Sequence, residues 1–443
     1  MRKVDIVFLY EHAARELDVA CAISAILQQK YGLSVEIIQW PVGFLNALYN
    51  LQPRLVVLPF CYTEKSYPKL LAAWRKSIFF NMTWEQLFYS GNRTAKTPRG
   101  EFAVHHVIHH AWSQSYASFL QQQGIPENHI YLNGQPAYKL YDEPYRRYFA
   151  SRTDLAKRYG LNSECRWLFF PENYNWAFYT QATIDQFIRN GQSPDDIQAM
   201  QEYCKKSLRE TVLWCVEIVR SDKVEVILRP RPSTSLTEFQ EVVSQCIPSI
   251  PAGLHILNDE SVRDWVLASD VVVSSYSTSL LEAAIAGKPV YILEPYPTPS
   301  SLKMQWHEYL PHLETRQQFM KSCLENTQEK AGAILEKWTR EQMMASEDAI
   351  GRLAEILSHL LGREASVPTV PSWRASIPDV ELRKRVIMWT LSQRLRAILG
   401  WHKMTKVPAE YVNDYLESDV IKTRIRRWND VLFGVPPNGV GSA

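Results

Sequence analysis

The sequence predicts two Rossmann-like, doubly wound α/β domains facing each other across a cleft, followed by a C-terminal helical segment. Three observations carry that prediction. Short runs of Val, Ile, Leu and Phe alternate with stretches whose apolar residues recur at helical spacing, the pattern of βαβ units around a parallel sheet. The alternation runs twice, once from Val4 and again from Arg166. A length of 443 residues is enough for two or three domains, each burying its own core.

In the first series Val4–Tyr10 is a buried-strand run, and Ala13–Tyr31 carries Leu17, Ala20, Cys21, Ile23, Ile26 and Leu27 at helical spacing. Ser34–Gln39 follows as a strand, Val42–Leu51 as a helix and Arg54–Phe60 as another buried strand. Ile78–Phe80 and Ile130–Leu132 are further strands, the second ending in the turn Asn133-Gly134-Gln135-Pro136. The second series opens with strand Trp167–Phe170 and the long helix Glu202–Val219. Val224–Leu228, Leu254–Leu257, Asp270–Val273 and Val290–Leu293 are its later strands, with helices at Val262–Leu267 and Ser279–Ala286. A helical stretch over 316–361 precedes the proline-bearing linker Ser366–Pro378. The change of domain is expected between 140 and 165. The domains therefore read 1–150, 151–365 and 366–443.

Lys and Arg number 49 against 47 Asp and Glu, too even a balance to argue for nucleic acid. Seven Cys, an odd number with no C-x-x-C, read as reduced thiols of a cytoplasmic protein. The N-terminal apolar run is too short for a signal-peptide core, and nothing approaches the ~18–20 apolar residues of a spanning helix. Glycine is scarce, 17 in the chain, against roughly 7% in an average protein. The one G-x-G, Gly439-Val440-Gly441, sits among the last residues, and no G-x-x-x-x-G-K-[ST] occurs. A phosphate ligand must be held without a Gly-rich cradle.

Equipment of another kind is present. Between Ala268 and Pro295 a buried strand opens into a turn bearing Ser274, Ser275, Ser277 and Thr278, then a helix carrying Glu282, with Gly287 at its expected C-cap. Hydroxyls and free N–H groups at a helix start can hold an anion. Simple capping would use one hydroxyl, and here there are four. A second strand ends in Arg229-Pro230-Arg231-Pro232, which projects two guanidiniums from a stiff extended segment suited to phosphate or carboxylate. The third candidate is Pro171-Glu172-Asn173 after Trp167–Phe170. Glu172 could be an acid/base or could hold a sugar hydroxyl, with Tyr174 and Trp176 stacking on a ring or else sealing the hinge.

The pattern S-S-x-S-T-x-x-x-E-A-x-x-x-G-K-P after a short buried strand resembles the nucleotide-binding half of GT-B glycosyltransferases. It is most similar to bacterial surface-carbohydrate (capsule and lipopolysaccharide) biosynthesis proteins. The resemblance implies that the hydroxyl turn contacts a donor phosphate and that Glu282 faces the donor nucleotide or sugar. Nucleotide-sugar 2-epimerases share the architecture and a similar acidic helix. CMP-donor sialyl- and Kdo-type transferases resembling this half often carry His-Pro where this chain has Arg231-Pro232. That departure keeps the phosphate role and puts a His-dependent step in doubt.

The first strand-helix junction, Tyr10-Glu11-His12 to Asp18, places Glu11, Arg15 and Asp18 at i, i+4, i+7 on one helical face. A carboxylate here is where an inverting GT-B enzyme would place its base, and the resemblance extends to this E-H-x-x-R-E-L run. An exposed Glu–Arg pair is the plainer reading. Glu85, after Ile78–Phe80, is a rival base. The cluster His105, His106, His109 and His110 lacks the Glu of H-E-x-x-H and an acidic third ligand, so no metal is expected. The segment 381–406 holds seven Lys/Arg against one acid, interleaved with apolar residues. It suits either an anionic membrane surface or packing back on the N-terminal domain.

The reading is a glycosyltransferase moving a sugar from a nucleotide-activated donor, CMP-linked by the weaker resemblance, to a surface-polysaccharide acceptor. The acceptor is a glycan or lipid-linked glycan, the nucleotide sugar is a substrate and no cofactor is expected. The protein is placed in the cytoplasm or on the inner face of its membrane. The alternatives are a nucleotide-sugar epimerase, a polyol-phosphate transferase of the teichoic-acid kind, and a non-catalytic GT-B-like protein binding glycan or a partner.

Overall fold

Two parallel six-stranded sheets organise the chain in the computed structural model. It describes the chain apart from residues 41, 44–46, 49, 64–69, 71–72, 75, 89–92, 95, 190, 232–233, 326–330, 363–383, 385–387, 389–390, 392–414 and 435–443. Residues 1–86, 94–140 and 342–443 form one compact unit, and 87–93 with 141–341 form a second. The sequence reading placed these borders at 150 and 365. The linker Ser366–Pro378 and nearly all of 381–406 lie outside the described residues.

In unit 1 the order along the chain is β1 (Arg2–Tyr10), α1 (Asp18–Tyr31), β2 (Val35–Gln39), β3 (Leu51–Leu58), β4 (Ile78–Asn81), α2 (Glu101–His105), β5 (Ile108–Ala111), α3 (Gln114–Gln122) and β6 (Ile130–Leu132). The sheet runs β2-β1-β3-β4-β5-β6, so the chain changes direction between β1 and β3. Inner strands covered on both faces read as near-continuous apolar runs, and β1 is fully buried from Ile6 to Tyr10. β3 starts at Leu51, earlier than the expected Arg54. Its first half alternates buried Leu51 and Pro53 with exposed Gln52 and Arg54, which hides it from a search for apolar runs. β5 was not expected, because two of its four residues are His109 and His110.

Unit 2 begins with α4 (Arg152–Tyr159), β7 (Arg166–Pro171), α5 (Pro194–Val219), β8 (Val224–Arg229), α6 (Leu236–Cys246) and β9 (Leu254–Ile256). It continues through α7 (Val262–Ala268), β10 (Val271–Ser274), α8 (Ser279–Ile285), β11 (Val290–Leu293), β12 (His312–Leu313), α9 (Arg316–Leu324) and α10 (Ala333–Met343). Its sheet order is β12-β11-β10-β7-β8-β9. Helices α6 and α7 start where the chemistry predicts: Ser235 and Ser261 close capping boxes with Glu238 and Asp264. Gly287 ends α8 in the left-handed region at φ 70°.

From Met343 the chain continues in unit 1, with α11 (Ala349–Gly362) and α12 (Ser418–Phe433) packing on α1. The anchor is the Asn133-Gly134-Gln135 turn. Gln135 N–H donates to the Met343 carbonyl (2.7 Å), Ser346 N–H to the Asn133 carbonyl (3.1 Å), and Asn133 Nδ2 to the Ala349 carbonyl (2.9 Å). Gly134 has φ 93°, and a Cβ there would lie 2.8 Å from the Ala345 nitrogen, so only glycine fits. No disulfide joins any of the seven cysteines. Among the described residues no helix is long and apolar enough to cross a membrane.

Candidate functional site

In unit 2 the chain enters at the sheet's middle strand β7, moves outward through β8 and β9, and returns to β10 on the other side. The loops leaving β7 and β10 therefore diverge, and ligands of open α/β sheets bind at such a point, outside the strands' carboxyl ends. Three candidate segments meet there. Ser274 Oγ donates to the Pro171 carbonyl (2.5 Å), which ties the end of β10 to the end of β7. Glu172 N–H donates to the Arg229 carbonyl (2.8 Å), and Arg231 N–H to Glu172 Oε2 (3.4 Å), which ties β7 to the end of β8. Tyr174 N–H donates to the other Glu172 oxygen.

Glu172 is buried. Burial pushes its carboxyl above the ordinary range, while the Arg231 charge and the two backbone N–H groups pull the other way. Arg231 is half-buried and, among the described residues, its guanidinium is in no ion pair. The hydroxyls are unequal. Ser274 spends its proton on Pro171, and Ser277 Oγ donates to Ser279 Oγ (3.2 Å) and accepts from the Ser279 N–H (3.3 Å). Among the described residues Ser275 Oγ is buried without a hydrogen-bond partner, and Thr278, at the N-cap of α8, makes no side-chain capping bond. Arg229 sits deeper, its Nη2 donating to the Asn258 (3.3 Å) and Glu260 (3.0 Å) carbonyls, so it shapes the loop after β9. Glu282, on α8, accepts from Tyr141 and faces the buried Arg263.

Unit 1 has its own change of direction between β1 and β3, and Glu11 leaves β1 there. Arg15 is the hub. Its Nη2 donates to Glu11 Oε2 (3.1 Å) and Glu16 Oε1 (2.6 Å), and its Nη1 to Glu85 Oε1 (2.7 Å). Lys96 makes a second ion pair with Glu85. Glu16 is fully buried and also accepts from the Glu11 N–H (2.8 Å). Burial raises the Glu16 pKa, against the pull of Arg15.

No family model matches the chain, and no curated protein matches it by sequence. Solved structures do. Over 83% of its length, and 99% of the other chain, it is similar to a protein assigned as a UDP-N-acetylglucosamine 2-epimerase from Listeria monocytogenes, with 12% identity and a TM-score of 0.50. Over 81% of its length, and 88% of the other chain, it is similar to a variant of the wall teichoic acid polymerase TagF, again with 12% identity and a TM-score of 0.50. The fold is of the GT-B type. Such distant likeness shows the fold alone.

Several side chains stand elsewhere than the sequence suggested. Tyr174 and Trp176 do not wait for a sugar ring; both are buried in the core of unit 2. Tyr174 bonds Thr211 through its hydroxyl (3.1 Å), and Trp176 packs on Tyr179 and Phe187. Glu11, Arg15 and Asp18 do not share one α-helical face. Ala13–Leu17 is a wider π-type turn, and Asp18 turns to Arg424 of α12 (3.2 Å). His105 ends α2, His106 follows it, and His109 and His110 lie in β5, so no i, i+4 pair forms on a helix. His109 is buried between Asn81 Nδ2 (3.1 Å) and the Ala103 carbonyl (2.7 Å), and among the described residues no group is arranged to hold a metal ion.

Glu16, Lys96, Tyr141 and Arg263 are contacts that the sequence candidates do not include. Glu16 had a signal, its place beside Arg15 in a run of charges entering a buried helix. Arg263 had only the Ser261–Asp264 capping box around it, which marks a helix start and says nothing of a buried partner.

Proposed function

We propose that this chain is a glycosyltransferase of bacterial surface-glycan assembly, transferring a sugar from a nucleotide-activated donor to a glycan or lipid-linked glycan acceptor. The observation that carries the reading is the uncommitted Arg231 guanidinium beside buried Glu172, with the Ser275 hydroxyl nearby on the loop after β10. Arg231, Ser275, Ser277 and Thr278 would hold the donor phosphate, framed by Arg229 and Ser274, and Glu282 would orient the donor. In the transfer a carboxylate, for which Glu11 and Glu85 are the candidates, takes the acceptor hydroxyl's proton, and the acceptor oxygen bonds the anomeric carbon. The bond from that carbon to the phosphate oxygen breaks with its electron pair left on oxygen. Arg231 offsets the charge that develops there. Glu172, its carboxyl biased by burial toward the protonated form, can return a proton to the leaving phosphate.

The test is a binding panel of UDP, GDP, CDP and CMP by thermal shift and calorimetry on the wild-type chain and Arg231→Ala. One nucleotide should bind, and Arg231→Ala should weaken it roughly tenfold or more at an unchanged melting temperature, since a charge-assisted contact is worth about 1.5–3 kcal/mol. No binding, or equal affinity in the variant, overturns the reading. Conversion of a nucleotide sugar supplied without any acceptor would instead identify an epimerase.

A further inference from the structure

Past the carboxyl ends of β1, β4 and β5, unit 1 gathers charges and aromatic rings. Arg15 donates to three carboxyl groups, to Glu16 at 2.6 and 3.0 Å, Glu85 at 2.7 Å and Glu11 at 3.1 Å. Lys96 pairs with Glu85 as well. Both cations of this group are therefore committed, while Glu85 keeps 43% and Glu11 16% of its side-chain surface exposed. Tyr62, after β3, stands within electrostatic reach of Arg15, Glu11 and Tyr116 of α3. Gln86 joins the loop after β4 to the end of β5: its Nε2 donates to the His110 carbonyl (2.9 Å) and its Oε1 accepts from the Trp112 N–H (2.8 Å). Trp84 and Trp112 lie on the two segments so joined. Among the described residues neither indole N–H has an acceptor, although the two residues are only 3% and 4% exposed. Buried donors are paired almost without exception, and an indole nitrogen can only donate. Carboxylates can only accept. A ring bearing hydroxyls satisfies both kinds of group, since each hydroxyl gives and takes a hydrogen bond. A carboxylate on that ring would meet Glu11 and Glu85 with Arg15 and Lys96 already engaged, and such like-charge encounters are how a site refuses a ligand.

We propose that unit 1 takes the acceptor by an uncharged sugar ring, with Trp84 and Trp112 as donors to it and Glu11 and Glu85 as acceptors from it, and that it refuses acidic sugars. This rests on the transferase reading above and names the chemical class of its acceptor.

The experiment titrates the full chain by saturation-transfer NMR with methyl glycosides of glucose, galactose, mannose and N-acetylglucosamine, each beside its uronic-acid counterpart. At least one neutral glycoside should bind, and its acidic counterpart should bind roughly tenfold or more weakly. Trp84→Phe and Trp112→Phe keep an aromatic ring and lose the N–H. Each should weaken the neutral ligand severalfold, the worth of one neutral hydrogen bond. Glu85→Gln removes a charge from a half-exposed side chain, so it keeps the test alive if a tryptophan variant fails to fold. It should narrow the gap between neutral and acidic ligands severalfold, whereas a merely structural role would leave that gap as in wild type. Equal or tighter binding of the acidic form, a gap unmoved by Glu85→Gln, unaltered affinity in both folded tryptophan variants, or no bound glycoside overturns the proposal. Nucleotide binding by the same preparation then leaves the donor reading standing. A neutral glycoside bound with this preference by a chain that takes no nucleotide supports the acceptor class and overturns the donor reading instead.

Discussion

Arg15 sorts the two carboxylates that compete for the role of base. Glu85 is engaged on both oxygens, by Arg15 and by Lys96. Glu11 shares Arg15 with buried Glu16 at the longer contact of 3.1 Å, and it stands directly after β1, where the sheet changes direction. Glu11→Gln should therefore lower kcat by about 10²–10⁴, the usual worth of a positioned base, and Glu85→Gln by less than about tenfold. The reverse order in steady-state assays with acceptor would move the base to Glu85. A second residue-scale consequence concerns His109. Burial holds its pKa at about 4, below the ordinary 6.5, and the Ala103 carbonyl only partly opposes that. A histidine depressed in the folded state favours folding above pH 6.5, and its contribution is lost as the pH falls from 6.5 toward 4. His109→Gln can still donate to Ala103 and cannot titrate. Thermal melts between pH 7 and 4.5 should show a shallower acid decline for that variant than for wild type, and parallel curves would refute the assignment.

At the scale of elements, the last strand pair of unit 2 is fastened by charge. Glu294 leaves β11 and His312 lies in β12, and their side chains pair through Oε2 and Nδ1. The hydrogen bond that His312 donates to Glu294 raises the His312 pKa above 6.5, despite partial burial. Burial alone would raise Glu294, but the bonds from His312 and the Thr298 N–H (2.7 Å) prevail and hold it at about 2. The histidine's contribution is full below pH 6.5 and fades as pH climbs through its raised value. The glutamate's is present above 4.5 and fades toward 2. Melting temperatures from pH 6 to 9 should fall more steeply in wild type than in His312→Gln; identical slopes would mean the pair does not hold these strands. These are also the elements the sequence concealed. β12 is two residues long and opens on His312, and β5 is half histidine, so neither offers an apolar run. Most of the strands legible in the sequence, β1, β4, β7, β8 and β10 among them, are buried on both faces, where periodicity and composition agree.

For the whole molecule, the sequence showed two α/β series and the loops after their strands, because both follow from local pattern. It did not show which unit owns a helix. α11 has a clear apolar face, Ile350, Leu353, Ala354 and Leu357 among it, and was read as the end of the second domain. An amphipathic stripe reports that a face is buried and carries no address for what buries it. The same blindness hid Arg263 facing Glu282, and Arg424 facing Asp18, pairs far apart in sequence. α1 supplies the address in retrospect. Every residue from Asp18 to Leu27 is buried, which the strand side of unit 1 alone does not accomplish, and α11 and α12 cover the rest. Residues 1–140 expressed alone would lose the cover that α11 and α12 give α1, whose residues Asp18 to Leu27 are all buried, and strand buried Asp18 without Arg424. At about 1.5–3 kcal/mol for each large apolar side chain, three or four exposures consume the ~5–15 kcal/mol by which a domain is stable. That fragment should show no cooperative melt by circular dichroism. The same fragment joined by a flexible linker to 342–443 should melt cooperatively, and so should 141–341, which contains all six strands of its sheet. A sharp transition for 1–140 on its own would show that the returning helices are accessories of unit 1 and not part of its core.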